Sequence, residues 1–444
     1  MPGTTHESEE KAGAVDASRA EMQFRISRGA LVLLAALTLA PWLLVAVVAG
    51  FKWPLHRSAK PAVQSEAVAG SRVTHARPGP WGDIEFIRIA IEPPAEFVFI
   101  DEKAESPAWF LRGHSRPQVE AFLNGAALTP EQRAELLGKS SWEVKSEGVT
   151  VRPPPDLVLS LAGEARERIY NLLALYPENR PQNSAYSFNP HYLDERLESS
   201  GLTEATVALF RRLLYRHGDL LLFADLNLLL PRLPDDHERT RLVKTVSRKI
   251  TMLANLKVTP QTDVDTLVNY WGFDGRAKDL RPLIESLKRV PGGASLDLAH
   301  LLPPFARRRL YTYPIPSNDS LAARRDCHWT SLNFFEETPN DRYVDQVLAV
   351  KTIGANYYQI SGGARLGDLM LLMTGEETVV HSAVYVADDV VFTKNGAMPT
   401  QPWMLMRLDD LEDYYAAFQP PNQPLRVRIY REKELVPVRQ SPGQ

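Results

Sequence analysis

The sequence has one cysteine, Cys327, among its 444 residues. A single thiol cannot form an internal disulfide, and it excludes zinc sites built from several cysteines. The formal net charge is only −3. A chain with so little excess charge has no strong basic field, so nucleic acid is not expected as a partner. The acidic cluster with a histidine, Pro234–Glu238, is typical of a solvated first helical turn and not of a metal site. Neither a metal nor an organic cofactor is expected.

The N-terminal part contains the longest uncharged apolar run, residues 29–51. At about 1.5 Å per residue this run spans roughly 35 Å, which is enough for a transmembrane helix and too long for a cleaved signal peptide. A polar tail at 1–28 and a Pro/Ser/Ala-rich linker at 52–80 flank it. The flanking Lys and Arg residues are nearly balanced, and we favour a cytoplasmic tail with an extracytoplasmic C-terminal part. The lipid bilayer is therefore an expected partner.

The middle part, residues 81–310, is predicted to be a mainly helical domain with N-terminal strands. Ile84–Glu92 is rich in β-branched residues and predicts a strand. Thr129, followed by proline and by Gln132, is typical of a helix start. Two longer helices are predicted, one from Thr203 to Gly218 and one from Pro234 through "KITMLANL".

The C-terminal part, residues 311–436, predicts a helix that begins at Cys327 and then an antiparallel meander. Three short apolar segments with turn residues between them supply the strands, at 364–373, 381–396 and 401–408. Turn residues at Asp388–Asp389 would join two of the strands. A helix followed by an antiparallel sheet is an α+β arrangement, which is the fold class we predict.

Cys327 is the candidate nucleophile. Asp326 can cap the helix, and the free N–H groups of the first turn could stabilise a thiolate or hold an oxyanion. His381 heads the strand "HSAVYV" and is the candidate base. Asn395 is the preferred third residue, because its carbonyl oxygen can accept a hydrogen bond from an imidazole N–H, while Thr393 and Lys394 remain open alternatives.

Each of these residues also has a plainer interpretation. A lone cysteine is commonly a small buried apolar residue, and a single histidine on a strand is usually structural. His328 adjoins Cys327, but adjacent residues on a helix point about 100° apart, so His328 is not the expected base. Trp329, two residues after the cysteine, belongs to an apolar helical face that would bury against the sheet.

Three motifs together resemble the NlpC-type cysteine peptidases, papain-like hydrolases of bacterial cell-wall peptides. Asp326–Cys327 stands in the place of the family's "DCSG", Leu366–Leu369 in the place of "PGDL", and His381–Tyr385 in the place of "HVGIY". The resemblance covers about residues 320–410. Trp329 stands where the family has glycine, and ungapped counting places Thr393 at the family's third catalytic position. The resemblance implies an upstream tyrosine as well, at Tyr311 or Tyr313.

The sequence therefore predicts a membrane-anchored cysteine peptidase or amidase of the bacterial cell envelope. Cys327, His381 and Asn395 would be catalytic, and a peptide or peptidoglycan-like molecule would be the substrate. The helical region would place the enzyme or bind envelope proteins. The alternative is a non-catalytic envelope scaffold with a degenerate papain-like domain. A transferase or amidase acting on lipids or small amides through the same pair is a third possibility.

Overall fold

The computed structural model describes residues 72–97, 100, 106–273, 275–315, 324–375, 378–419 and 423–433. The predicted tail at 1–28 and the predicted transmembrane helix at 29–51 lie outside these residues, as does most of the linker at 52–80. Within the described ranges, no helix combines the length and the apolar character needed to cross a bilayer.

The helices of the described residues are mostly short. They are α1 Arg116–Asn124, α2 Pro130–Lys139, α3 Pro155–Ser160, α4 Gly163–Leu173, α5 Arg180–Asn183, α6 Leu193–Leu197, α7 Glu204–Arg212, α8 Leu226–Leu229, α9 Asp236–Ser247, α10 Val264–Trp271, α11 Ala277–Lys288, α12 Pro304–Arg309, α13 Cys327–Leu332, α14 Gln346–Asn356 and α15 Leu408–Ala416. Short 3₁₀ turns lie at Ala95–Phe97, Pro190–Tyr192, Leu230–Arg232, Leu298–His300 and Asp341–Val344.

The strands of the described residues are distributed along the whole of this part of the chain. They are β1 Val73–His75, β2 Asp83–Ile91, β3 Trp109–Arg112, β4 Ser141–Lys145, β5 Gly148–Arg152, β6 Tyr186–Phe188, β7 Tyr215–His217, β8 Leu220–Phe223, β9 Lys249–Val258, β10 Ala294–Asp297, β11 Tyr357–Ile360, β12 Leu369–Thr374, β13 Thr378–Ala387, β14 Val390–Lys394, β15 Trp403–Arg407 and β16 Leu425–Glu432.

These strands form four sheets whose named pairs are all antiparallel. The largest has six strands in the order β11-β16-β12-β13-β14-β15, and a four-stranded sheet has the order β1-β2-β9-β10. Two three-stranded sheets, β3-β5-β4 and β6-β8-β7, lie in the middle of the chain. The α+β fold class predicted from the sequence is confirmed at this level.

One hydrophobic core joins the four-stranded and six-stranded sheets. Phe86 and Leu256 of the smaller sheet belong to the same buried cluster as Trp329, Val384 and Phe392. Burying a large apolar side chain contributes about 1.5–3 kcal/mol to folding. This core therefore fastens the C-terminal segment to strands far upstream, across the predicted boundary between residues 310 and 311.

The middle region contains more strand than its sequence predicts. Helix α9 ends at Ser247, and the chain continues as β9, so the helical prediction for "KITMLANL" is wrong. The residues of β9 alternate between buried and partly exposed, which is the pattern of a strand with one face on the core. The helix predicted to run from Thr203 to Gly218 likewise ends at Arg212, and β7 follows it.

The C-terminal meander is confirmed. Strands β12 to β15 pair in chain order, and Asp388–Asp389 form the turn between β13 and β14. Asp388 adopts the left-handed conformation there, with φ of 57°. Val384 pairs with Phe392, and continuing this register by three residues on each strand places His381 across from Asn395. The sequence did not predict β11 and β16, which extend the sheet beyond β12.

Candidate active site

Cys327 is the first residue of helix α13, as predicted. Asp326 is the N-cap, and its carboxylate accepts hydrogen bonds from the backbone N–H groups of His328 at 2.9 Å and Trp329 at 3.0 Å. A third hydrogen bond, from the side-chain amide of Gln346 at 3.2 Å, holds the other carboxylate oxygen. The buried carboxylate of Asp326 thus accepts three hydrogen bonds, and the two from backbone N–H groups fix the start of the helix.

The thiol of Cys327 is buried in this state, with 6% of the residue exposed. Burial raises the pKa of Cys327 to about 12, and the charge of Asp326 adds to the rise. The backbone N–H groups of Ser382 and His328 lie against the sulfur and act in the opposite direction. The sequence led us to expect a stabilised thiolate at this helix terminus. That expectation is wrong for this state, because removal from water outweighs the N–H groups.

His381 is fully buried on β13. Its Nε2 lies 2.8 Å from the hydroxyl oxygen of Thr393, and the Thr393 hydroxyl in turn donates to the side-chain oxygen of Asn395 at 3.2 Å. Thr393 has one hydroxyl hydrogen, and Asn395 Oδ1 can only accept. Thr393 must therefore accept from His381, so Nε2 carries the proton and Nδ1 has a free lone pair.

The other ring nitrogen, Nδ1 of His381, has no hydrogen-bond partner among the described residues. Burial lowers the pKa of His381 well below its usual range, and the nearby His328 adds to the effect. A neutral imidazole with an unpaired Nδ1 lone pair has the chemical form of a general base. An unpartnered buried nitrogen also costs about 1–3 kcal/mol, so it calls for a functional explanation.

The predicted third residue, Asn395, makes no hydrogen bond to the imidazole in the described part of the chain. Thr393 makes the hydrogen bond to His381 that was expected of Asn395. Asn395 instead accepts a hydrogen bond from Thr393. Lys394, the remaining alternative, lies over the ring of Trp403 at 5.7 Å, and burial lowers the pKa of its amine to about 8.

The aromatic ring of Tyr415, on α15, stacks on the imidazole of His381 with ring centroids 4.3 Å apart. This contact had no signal in the sequence, because Tyr415 lies in an amphipathic helix outside the three motifs. Burial raises the pKa of Tyr415, and the nearby Cys327 adds to the rise. The imidazole and the phenol therefore form one buried stacked pair.

A second polar chain lies on the opposite face of β13. His328 Nδ1 lies 2.9 Å from the hydroxyl of Ser382, and that hydroxyl donates to Ser331 at 3.1 Å. Neighbouring residues of a strand face opposite sides of the sheet, so Ser382 contacts α13 while the His381 ring contacts α15. The backbone N–H of Ser382 also lies near the Cys327 sulfur.

Trp329, which stands where the NlpC-type family has glycine, is part of the hydrophobic core. Its ring is fully buried, packs at 5.3 Å from Phe305, and donates from Nε1 to Asp341 at 3.0 Å. The apolar helical face predicted for α13 is confirmed at this residue. Tyr311 and Tyr313 donate to the backbone carbonyls of Met252 and Ile91 instead of pointing to Cys327.

The segment "LGDL" positions β13. Gly367 has φ of 94°, and a Cβ there would lie 2.3 Å from the Phe335 ring, so only glycine fits. Its N–H donates to Tyr385, and the carbonyl of Asp368 accepts from Tyr385. The Asp368 carboxylate bonds bidentately to Arg431 of β16, which ties the start of β12 to its neighbouring strand.

Among the described residues, no group of three or more His, Cys, Asp or Glu side chains could hold a metal ion. The described residues thus include a buried thiol at a helix N-terminus and a buried neutral imidazole that Thr393 orients. Comparisons of the chain with protein-family models, with curated proteins and with solved structures find no match.

Proposed function

We propose that the chain is a membrane-anchored cysteine hydrolase, a peptidase or amidase, of the bacterial cell envelope. The observation that carries the proposal is the environment of His381. Thr393 fixes one ring nitrogen, and the other has no hydrogen-bond partner among the described residues. A merely structural histidine would be expected to use both nitrogens when fully buried.

The proposed reaction is acyl transfer through a thioester. Cys327 Sγ attacks the carbonyl carbon of an amide while its proton passes to His381 Nδ1. The imidazolium then gives this proton to the leaving nitrogen, the C–N bond breaks, and an amine departs. Water attacks the thioester, again losing a proton to Nδ1, and the acid product and free thiol are regenerated. Thr393 keeps the ring in the required tautomer throughout.

This mechanism uses general-base catalysis and does not require a preformed thiolate. The pKa of Cys327 is raised to about 12, and the pKa of His381 is lowered. Proton transfer from sulfur to nitrogen is therefore unfavourable in the resting state and accompanies attack on the substrate. Because both residues are buried, substrate entry requires that the cover formed by Tyr415 over the imidazole opens.

The substrate class follows from the resemblance to NlpC-type peptidases. An amide in a peptide, such as a peptidoglycan stem peptide, is the proposed substrate, and the segment 81–310 would place the site or bind envelope partners. The predicted anchor at 29–51 would hold the enzyme at the membrane, with the C-terminal part outside the cytoplasm.

The proposal can be tested with p-nitrophenyl acetate, which acylates activated thiols. We expect a burst of nitrophenolate and an acetyl group on Cys327, located by peptide mass spectrometry. The burst should be lost in Cys327→Ala and fall at least tenfold in His381→Gln. His328→Gln is the matched control, because it removes a buried histidine from the same helix end without touching Nδ1 of His381.

The pH dependence separates general-base catalysis from a preformed thiolate. His381 stays neutral at pH 6–9 because its pKa is lowered, so acylation by the ester should change little over that range. Alkylation of Cys327 by iodoacetamide needs the thiolate and should rise about tenfold per pH unit there. Acylation that proceeds equally well in His381→Gln would sink the hydrolase proposal.

The second candidate function is a non-catalytic envelope scaffold, and the burial of both Cys327 and His381 favours it. On this proposal the six-stranded sheet is a rigid platform, and the buried polar chain only specifies its packing. It predicts no burst with the ester, and it predicts that His381→Gln changes the free energy of unfolding but no chemical reactivity of Cys327.

A further inference from the structure

A cavity of about 90 Å³ lies beside the candidate active site, and the proposed hydrolysis does not use it. Its walls come from β6 and α6 on one side and from β9 and β15 on the other. Asn395 lines the cavity, and the side chain of Asn395 accepts a hydrogen bond from Thr393 of the candidate site. The cavity is nevertheless a separate space, and neither Cys327 nor His381 lines it.

The charged lining of the cavity is mostly positive. Arg88 and Arg407 line it, and each forms an ion pair with a carboxylate outside, Arg88 with Glu195 at 2.7 Å and Arg407 with Asp389. Within each of these two pairs the positive and negative charges cancel. The one acidic residue of the lining, Asp410, accepts hydrogen bonds from Asn189 at 3.1 Å and Tyr192 at 3.3 Å.

The two remaining cations, Arg196 and Lys249, have no carboxylate partner among the described residues. Arg196 is 7% exposed, and its guanidinium lies 4.7 Å from the ring centroid of Phe188. Its one hydrogen bond in this part of the chain is a 3.5 Å contact with the carbonyl of Val246. No described residue accepts a hydrogen bond from the partly buried amine of Lys249.

Two unpaired cations facing one cavity repel each other and lose hydration. Burial lowers the pKa of Lys249 to about 7 and the pKa of Arg196 to about 10, and the charge of Arg196 contributes to the fall at Lys249. Removing a cation from water without a counter-charge is unfavourable, and an anion bound between the two would relieve it. The geometry thus has the form of an anion-binding site.

The remaining walls indicate what kind of anion fits. Phe188, Met252, Met404 and Leu405 give the cavity an apolar side, and Phe188 lies directly against the Arg196 guanidinium. A bare inorganic ion would leave that side without contacts, whereas an organic acid would cover it. We propose that this cavity binds a small organic acid, with its carboxylate between Arg196 and Lys249 and its short hydrocarbon part against Phe188 and Met252.

The proposal predicts that the full chain binds butyrate, measured by titration calorimetry at pH 7.5 in a phosphate-free buffer. The neutral isostere butyramide should not bind. Lys249→Met and Arg196→Met should each weaken butyrate binding at least tenfold. Lys257→Met is the matched control, because Lys257 lies on the same strand but pairs with Glu85 at 3.5 Å, and butyrate binding should stay unchanged.

Proton uptake gives a second measurement that a merely structural role for Lys249 would not produce. A bound carboxylate favours the charged amine, so binding at pH 7.5 should draw protons from the buffer. The apparent binding enthalpy should then depend on the ionisation enthalpy of the buffer, and Lys249→Met should abolish this dependence. If Arg196→Met does not fold, Lys249→Met alone tests the proposed carboxylate site.

Three outcomes would overturn the proposal. The first is that the wild type shows no butyrate binding at concentrations up to 10 mM. A dissociation constant of about 10 mM is the weakest affinity of interest and corresponds to a binding free energy near 3 kcal/mol. Another is equal binding of butyrate and butyramide, which would show an apolar cavity only. The third is phosphate binding in place of butyrate, which would reassign the site to inorganic or ester phosphate. None of these outcomes depends on whether Cys327 is a nucleophile.

Discussion

The protein contains two buried clusters of charge that solve the same problem differently. Arg166 and Asp225, in the middle region, are both almost completely buried and form an ion pair. Tyr170 donates to the same carboxylate at 2.6 Å, and the Val158 carbonyl accepts from the guanidinium at 2.9 Å. The charges of this cluster cancel, and it is closed in the sense that it supplies its own counter-charge, although Arg166 Nε has no hydrogen-bond partner among the described residues.

Arg196 and Lys249 form the contrasting cluster. Both line one cavity, and neither pairs with a carboxylate of the described residues. The difference shows how a structural charge cluster can be distinguished from a ligand site. A structural cluster supplies its own counter-charge, whereas a site leaves the counter-charge to be brought by the ligand.

The candidate active site is intermediate between these two. His381 is neutral and is satisfied at Nε2, like the closed cluster, but its Nδ1 is unpartnered, like the open one. At His381 one lone pair lacks a partner, whereas in the open cluster two cations lack a carboxylate partner. The expected stability effects of substitutions therefore decrease from the closed cluster, through the open one, to the residues around His381.

The largest effect is expected from Asp225→Ala. The change leaves the Arg166 guanidinium charged and buried without its partner, and loss of one member of a buried pair typically costs about 3–5 kcal/mol. Urea unfolding monitored by tryptophan fluorescence would measure the loss. A variant in which both charges are removed, Arg166→Met with Asp225→Leu, should recover most of it. A loss below about 1 kcal/mol in the single variant would show that this pair is not the structural one.

An effect of opposite sign is expected from Lys249→Met in buffer free of organic acids. The folded-state pKa of Lys249 is about 7, against about 10.4 in an unfolded chain, so the native state disfavours its charge. Removing the amine should stabilise the protein by about 2–3 kcal/mol at or below pH 7, after allowance for its partial exposure.

The gain should vary with pH in a defined direction. Between pH 7 and about 10.4 the unfolded state binds more protons at Lys249 than the native state, so wild-type stability rises with pH. The advantage of Lys249→Met should therefore be complete below pH 7 and vanish near pH 10.4. Lys257→Met is the control and should show a small difference that is constant with pH. A destabilised Lys249→Met would break the contrast between the two clusters.

A smaller loss is expected from Thr393→Val. The change keeps the shape of the side chain but removes the acceptor for the buried His381 Nε2–H, which typically costs about 1–2 kcal/mol. Thermal unfolding monitored by circular dichroism would measure it. Thr374→Val is a useful comparison, because Thr374 is also a buried threonine of the six-stranded sheet but lies outside the His381 chain. Equal losses in the two variants would remove the special role of Thr393.

The C-terminal fold could be predicted because its signals are local. Alternating short apolar segments with Asp388–Asp389 between them indicate a meander, and Asp326 before Cys327 indicates a helix start. The strand β9 could not be predicted, because "KITMLANL" is apolar enough for a buried helix or a buried strand. The segment forms a strand because it pairs with β2, and that pairing joins segments far apart in the chain.

The candidate site was predictable in part for a related reason. Cys327 and His381 lie at the start of a helix and near the start of a strand, and these positions are visible in the sequence. Thr393, Tyr415 and the raised pKa of Cys327 depend on burial and on side-chain direction. Those properties emerge only from tertiary packing, so the sequence favoured Asn395 on its hydrogen-bonding chemistry alone.

The smallest stability effect, about 0.5–1 kcal/mol, is expected from Asn395→Ala, since it removes one hydrogen bond at the end of a chain. Its chemical effect is larger. Without the Asn395 acceptor, the Thr393 hydroxyl can donate to His381 Nε2, and the proton of the imidazole then moves to Nδ1. Nitrogen-15 NMR of the imidazole should report Nε2–H in the wild type and a substantial Nδ1–H population in Asn395→Ala. An unchanged tautomer would show that Thr393 alone orients His381 and that Asn395 belongs only to the cavity wall.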